Sequence, residues 1–116
     1  FVVLEALVNQ SISNRSALLL GCRNGKSELV STAFFVKFDN CYYYLISASS
    51  PEGYRQGALY HIFYILLRDL SSTDAIIDFE GSSIPGVARF FRGWGAEEQF
   101  YFSIEKKAYQ CVFGAF

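Results

Sequence analysis

Asp78 and Glu80 close the apolar run "AIIDFEG" and are followed by Ser82 and Ser83. Carboxylates at the mouth of a strand can take a proton from an amine, directly or through water. The same residue types also cap loop amides, so a turn-forming role stands beside the chemical one. Strand alternation places Asp78 and Glu80 on one face, opposite Phe79. A second group lies in "PEGYRQGALY", where Gly53 and Gly57 allow close backbone approach and Arg55 adds a cation. Where a loop opens into a helix, free N–H groups meet the positive end of the helix dipole, which suits a phosphate. Two glycines can equally do no more than shape the loop.

The elements that must position these groups follow from periodicity. Residues 1–8, "FVVLEALV", read as the end of a helix or as a strand, and "NQSISNRS" reads as a polar loop. The runs 17–22 and 28–38 flank Asn24-Gly25, a hairpin signal. "CYYYLISAS" (41–49) is aromatic and β-branched, which suits a third antiparallel strand. Pro51, Gly53 and Gly57 stop that strand. Residues 58–70 contain neither Gly nor Pro and read as a helix with His61, Tyr64 and Arg68 on its polar stripe. The lone His61 is therefore read as a surface residue of that helix. A strand over 74–79 follows, then a helix opened by Pro85, capped by Ser82 or Ser83 and ending near Gly93. "QFYFSIE" (99–105) alternates and reads as a last strand. On one face the tyrosines 42–44 pack into the core.

Composition narrows the class. With 116 residues the chain fits one domain. Its hydrophobic content of 52% and its net charge of −1 are those of a folding chain, without the basic footprint of a nucleic-acid binder. Cys22, Cys41 and Cys111 are odd in number and widely spaced, which suits reduced thiols in the cytoplasm. One histidine and no CxxC motif give no basis for a structural metal. The apolar stretch 62–67 is far short of the ~20 residues that span a bilayer, so no membrane role is expected. The architecture expected is α+β: a mixed, largely antiparallel sheet flanked by helices.

Together, "GYRQGA" after a strand, the helix behind it and "DFEGSSIPGVARFFRGWGAE" resemble the GNAT acyltransferase superfamily, with the FemABX-like group as the nearest match. The resemblance covers roughly residues 15–105. It implies that Gly53, Arg55, Gln56, Gly57 and Ala58 hold the pyrophosphate of acyl-CoA or acetyl-CoA, although the loop's spacing departs from the family's Q/R-x-x-G-x-G/A pattern. In the family's A-x-x-F-Y-x-x-x-G-F helix, Ala88, Phe90, Phe91, Trp94 and Gly95 are the matching residues, and Phe91 stands where many members carry a tyrosine. Phenylalanine has no proton to give. The Asp-x-x-Gly of Asp78–Gly81 and the helix after it are similar to the FemABX-like pattern. By the same resemblance, the carrier lies where strand 41–49 parts from strand 74–79. Glu80, with Asp78 second, is the implied base for a small-molecule or peptide amine acceptor. FemABX relatives use aminoacyl-tRNA, a partner that the charge balance does not favour. The chain then reads as one domain, residues 1–116, from the C-terminal part of a longer protein. A non-catalytic domain of the same fold, binding a ligand or partner, is the alternative. A further resemblance, of "LISASS" and "DAIIDF" to trypsin-like proteases, implies an inactive all-β domain with Ser50 in place of the histidine.

Overall fold

The computed structural model describes residues 2–100 and 102–104. Its elements run α1 (Val2–Ser13), β1 (Ala17–Arg23), β2 (Leu29–Phe38), β3 (Cys41–Ser49), α2 (Pro51–Arg55), α3 (Ala58–Leu70), β4 (Ile76–Asp78) and α4 (Pro85–Gly93). The four strands form one sheet in the order β1-β2-β3-β4. β1, β2 and β3 pair antiparallel, whereas β3 and β4 are parallel. That mixture follows from the connections: hairpin loops join the first three strands, and a helix must carry the chain back to start β4 in the same direction as β3. The expected α+β architecture is the observed one.

The loop between β1 and β2 is folded around Asn24, whose Oδ1 accepts from the backbone N–H groups of Lys26 and Glu28 at 3.0 Å each. The turn between β2 and β3 places Asp39 at φ 55°. Asn40 then fixes the start of β4: its carbonyl accepts from Ile76 N–H at 2.9 Å and its Nδ2 donates to the Asp74 carbonyl at 2.9 Å.

α3 buries Ala58, Ile62, Phe63 and Leu66, a stripe at helical spacing, against Ala33 and Phe35 of β2. His61, Tyr64 and Arg68 face solvent, as the sequence periodicity predicts. Phe35 and Phe63 are fully buried, with ring centroids 5.6 Å apart at a steep angle, the edge-to-face geometry that aromatic quadrupoles favour. α4 lies beside α3 on the same face, where Phe90 and Trp94 reach Phe63.

Several details depart from the sequence reading. α1 continues through "NQSIS" to Ser13 instead of giving way to a loop at residue 9, because Ser11 is buried and Ser13 Oγ bonds back to the Asn9 carbonyl. The segment after β3 forms the short helix α2, capped by Ser50, whose Oγ accepts from Gly53 N–H at 3.0 Å. Neither Ser82 nor Ser83 caps α4. Its N-cap is Ile84, and Ser82 Oγ is instead used by the Ile84 N–H. Because Pro85 has no N–H, α4 has one fewer donor to satisfy there. Of the expected strand 99–105, residues 99, 100 and 102–104 lie outside any strand, and 101 and 105 are outside the described residues. A 13-residue helix packed on a mixed sheet is incompatible with the all-β protease-like reading.

Candidate functional site: the opening between β3 and β4

β4 pairs along its whole length with only the first three residues of β3, over Cys41↔Ile76, Tyr42↔Ile77 and Tyr43↔Asp78. β4 ends at Asp78, while β3 runs on to Ser49. Among the described residues, the second half of β3 therefore has no strand beside it on that edge, and the two strands open into a cleft whose closed end is at Tyr43 and Asp78. Unpaired strand N–H and C=O groups of this kind are available to an extended ligand.

A bulge lies at the closed end. Phe35 is opposite Tyr44 and Phe34 opposite Ile46, so Leu45 has no partner in the register. The extra residue exchanges the faces: Tyr42 and Tyr44 pack toward α3, and beyond the bulge Ser47 takes the place opposite the buried Ala33. Tyr44 then spans the cleft's base, its ring 6.4 Å from Phe79 just past β4 and 6.1 Å from Phe91 of α4. Its hydroxyl and that of Ser47 share a hydrogen bond of 2.5 Å. No Gly or Pro marks this bulge in "YYYLISAS", so the sequence carries no signal for it.

Asp78 and Glu80 are both exposed, at the point where β4 stops. Alternation does not extend to Glu80, because the chain turns there: Glu80 has φ 62° and Gly81 φ 71°, and the Glu80 N–H donates to Asp78 Oδ1 at 2.8 Å. Asp78 is thus a turn former, a role its residue type suits. A turn rather than the pleat gathers the two carboxylates. The Tyr43 phenol is held above its ordinary value first by side-chain hydrogen bonding with Cys41, then by the charge of Cys41, by burial and by the charges of Asp78 and Glu80. Asp78→Ala is expected to cost about 1 kcal/mol in urea unfolding through loss of that turn bond, while Glu80→Gln leaves stability unchanged.

The glycines of "PEGYRQGA" divide into two roles. Gly53 is buried against β2, and a Cβ there would stand 2.1 Å from the Val30 carbonyl oxygen. That approach is made between α2 and the strand, not toward solvent. Gly57 is the N-cap of α3, left-handed at φ 66° and ψ 33°, with no side chain capping the first turn. Ala58 is buried beneath it, whereas Arg55 and Gln56 are exposed. Gln56 Nε2 donates to Glu52 at 3.3 Å, and Glu52 also accepts from Asn24 Nδ2, which ties α2 to the first hairpin. The first-turn amides of α3 are thus left to a ligand or to water. Nearby, a cleft of about 180 Å³ between α3 and α4 is lined by Tyr60, Gly86, Arg89, Phe90, Gly93 and Trp94. The Trp94 indole N–H is buried with no partner among the described residues.

No protein-family model matches the sequence, and no curated protein does. Solved structures do. A ribosomal-protein-alanine N-acetyltransferase from Brucella melitensis biovar Abortus 2308 superposes with a TM-score of 0.59 at 13% identity, over 85% of this chain and 76% of that one. An aminoglycoside antibiotic 6'-N-acetyltransferase from Acinetobacter baumannii gives 0.56 at 15% identity, over 94% of this chain and 82% of its own. The chain has the GNAT acyltransferase fold. Within this fold, β3 parts from β4 beyond Tyr43, its bulge lies at Leu45, and α3 starts without a side-chain cap. Among the described residues, no group of three or more His, Cys, Asp or Glu side chains could hold a metal ion. No described helix is long and apolar enough to cross a membrane.

Proposed function

We propose that the chain is an N-acyltransferase domain that takes an acyl group from acyl-CoA and passes it to an amine. The observation that carries this reading is the parting of β3 from β4 beyond Tyr43 and Asp78, in the sheet on which α3 packs with an N-terminus that no side chain caps. An extended thioester arm fits an unpaired strand edge, and a pyrophosphate fits free helix-start amides with Gly57 beneath them. Arg55, just before α3, and Arg89 of α4 are exposed cations. The acceptor amine loses its proton to Glu80 just past the end of β4, and Asp78 holds the turn that presents Glu80. The acetyltransferase names of the two structural neighbours support acyl transfer as the reaction class. The small-molecule or peptide nature of the acceptor, the FemABX-like affinity and the place of the domain in the C-terminal part of a longer protein belong to this same reading.

Thermal unfolding with and without acetyl-CoA tests it. Millimolar acetyl-CoA is expected to raise Tm, by mass action on the folded state. Gly57→Glu is expected to fold, because its nearest foreign atom is Tyr60 Cδ2 at 3.8 Å and a left-handed non-glycine costs only about 1–2 kcal/mol. It abolishes the ligand-induced rise by placing a carboxylate where the phosphates bind. A wild-type protein whose Tm does not move with acetyl-CoA would favour ligand or partner binding without turnover, or an aminoacyl-tRNA donor.

A further inference from the structure

The face of the sheet opposite α3 carries an apolar groove. Alternation along β2 turns Ala33 and Phe35 toward α3 and Phe34 to the other side, where Val8 and Ile12 of α1 line the groove with it. The register sets Leu19 of β1, Phe34 of β2 and Ile46 of β3 side by side, a row that crosses three strands and ends on the edge of β3 that β4 leaves uncovered. Gly21, Thr32 and Ala48 form the next row, so a trough of small side chains runs along the first. The Leu45 bulge makes this arrangement, because without the extra residue Ile46 would share the face of Tyr44. The groove encloses about 430 Å³, a volume in the range of small-molecule sites. Among the described residues no charged side chain lines it, and Leu19 and Ile46 are exposed.

The floor of the groove selects its occupant. β1, β2 and β3 satisfy one another's backbone groups by pairing, so the only strand edge that reaches the groove without a partner, among the described residues, is that of β3. A peptide laid across the strands would bury N–H and C=O groups that nothing there can pair, whereas a hydrocarbon chain brings none. Resting on the acyl-CoA reading above, we propose that the domain selects medium-chain acyl groups, of about eight carbons, and that this groove holds the acyl chain. α3, whose start holds the phosphates in that reading, lies on one face of the sheet and the groove on the other. The gap between β3 and β4 joins them. The thioester arm follows the uncovered edge of β3, and the acyl chain turns at Ile46 and crosses Phe34 to reach Leu19. From β3 to β1 is two strand spacings, about 10 Å, the length of an extended chain of about eight carbons.

The test needs no knowledge of the acceptor. Acetyl-CoA, butanoyl-CoA and octanoyl-CoA are titrated separately into the full chain by calorimetry. A fully buried methylene is worth about fourfold in affinity, and with about half of that burial realised in an open groove, octanoyl-CoA is expected to bind about fiftyfold tighter than acetyl-CoA. Leu19→Glu changes an exposed position and sets a carboxylate at the far end of the groove. It is expected to lower octanoyl-CoA affinity by about tenfold or more while leaving acetyl-CoA and butanoyl-CoA, too short to reach β1, within about twofold. Ile46→Thr keeps a β-branched residue in β3, is expected to lower octanoyl-CoA affinity by a few-fold, and serves if Leu19→Glu does not fold. Equal affinities of the wild-type chain for the three ligands, as when a second copy of the chain covers the groove, overturn the proposal and leave the acyl-CoA reading standing. An octanoyl preference that both variants keep does the same, because the chain then lies elsewhere. A wild-type chain that binds none of the three overturns both.

Discussion

Gly53→Ala is expected to destabilise the protein by about 3 kcal/mol, with no ligand present. The new methyl would stand 2.1 Å from the Val30 carbonyl oxygen and 2.8 Å from its carbon, distances that require backbone to move. Neither side yields easily. Val30 is buried in β2, its carbonyl already accepts from Ser50 N–H at 2.9 Å, and Gly53 is itself held by the Ser50 cap of α2. Overpacking costs typically about 1–3 kcal/mol, and the upper end applies where backbone meets backbone. Urea unfolding measures it as a lower midpoint at unchanged slope. The contrast with Gly57 is the useful part. Gly57→Ala costs no more than about 1–2 kcal/mol, from the left-handed backbone alone, because its surroundings are open. A glycine that held a phosphate through close backbone approach would show the opposite order, little stability loss and a large loss of binding. Comparable stability losses in the two variants would mean that α2 is not packed on β2 as described.

Phe35→Ala is expected to cost about 3–5 kcal/mol, enough to unfold much of the protein near physiological temperature. Phe35 has no exposed surface, and its ring meets Tyr44 at 5.5 Å and Phe63 at 5.6 Å. Removing it leaves a cavity between the sheet and α3 that the steep ring contacts cannot close by sliding. It also takes away an aromatic neighbour of Tyr44, so any folded remainder would hold the Tyr44–Ser47 pair loosely. Calorimetric Tm reads the stability loss. A loss below about 1 kcal/mol would show that the Phe35 site collapses far better than its surroundings suggest.

Much of the architecture is legible in the chain itself. Asn24-Gly25 between apolar runs, Asp39-Asn40 between two more, the glycine-free stretch 58–70 and Pro85 each act through local stereochemistry, which a sequence displays directly. The resemblance in "GYRQGA" and "DFEGSSIPGVARFFRGWGAE" pointed to the GNAT fold because those turns and helix starts are local as well. Such signals also set where Asp78 and Glu80 fall, at the end of a strand beside a glycine.

The site's geometry was decided by the tertiary structure, because it depends on registers between strands that are distant in sequence. The Leu45 bulge exists only as a mismatch between β2 and β3. The cleft exists only because β4 stops at Asp78 while β3 continues. Gly53 and Gly57 look alike in "PEGYRQGA", yet one faces the Val30 carbonyl and the other opens to solvent at the start of α3. Asp78 and Glu80 looked like neighbours on a pleated strand, and a left-handed turn at Glu80 sets their relation instead. Residue types and local turns fix what each segment prefers. Which side chains meet is fixed by long-range pairing and burial, and that is where Tyr44 and Ser47, unremarked as a pair in the sequence, come together at the base of the cleft.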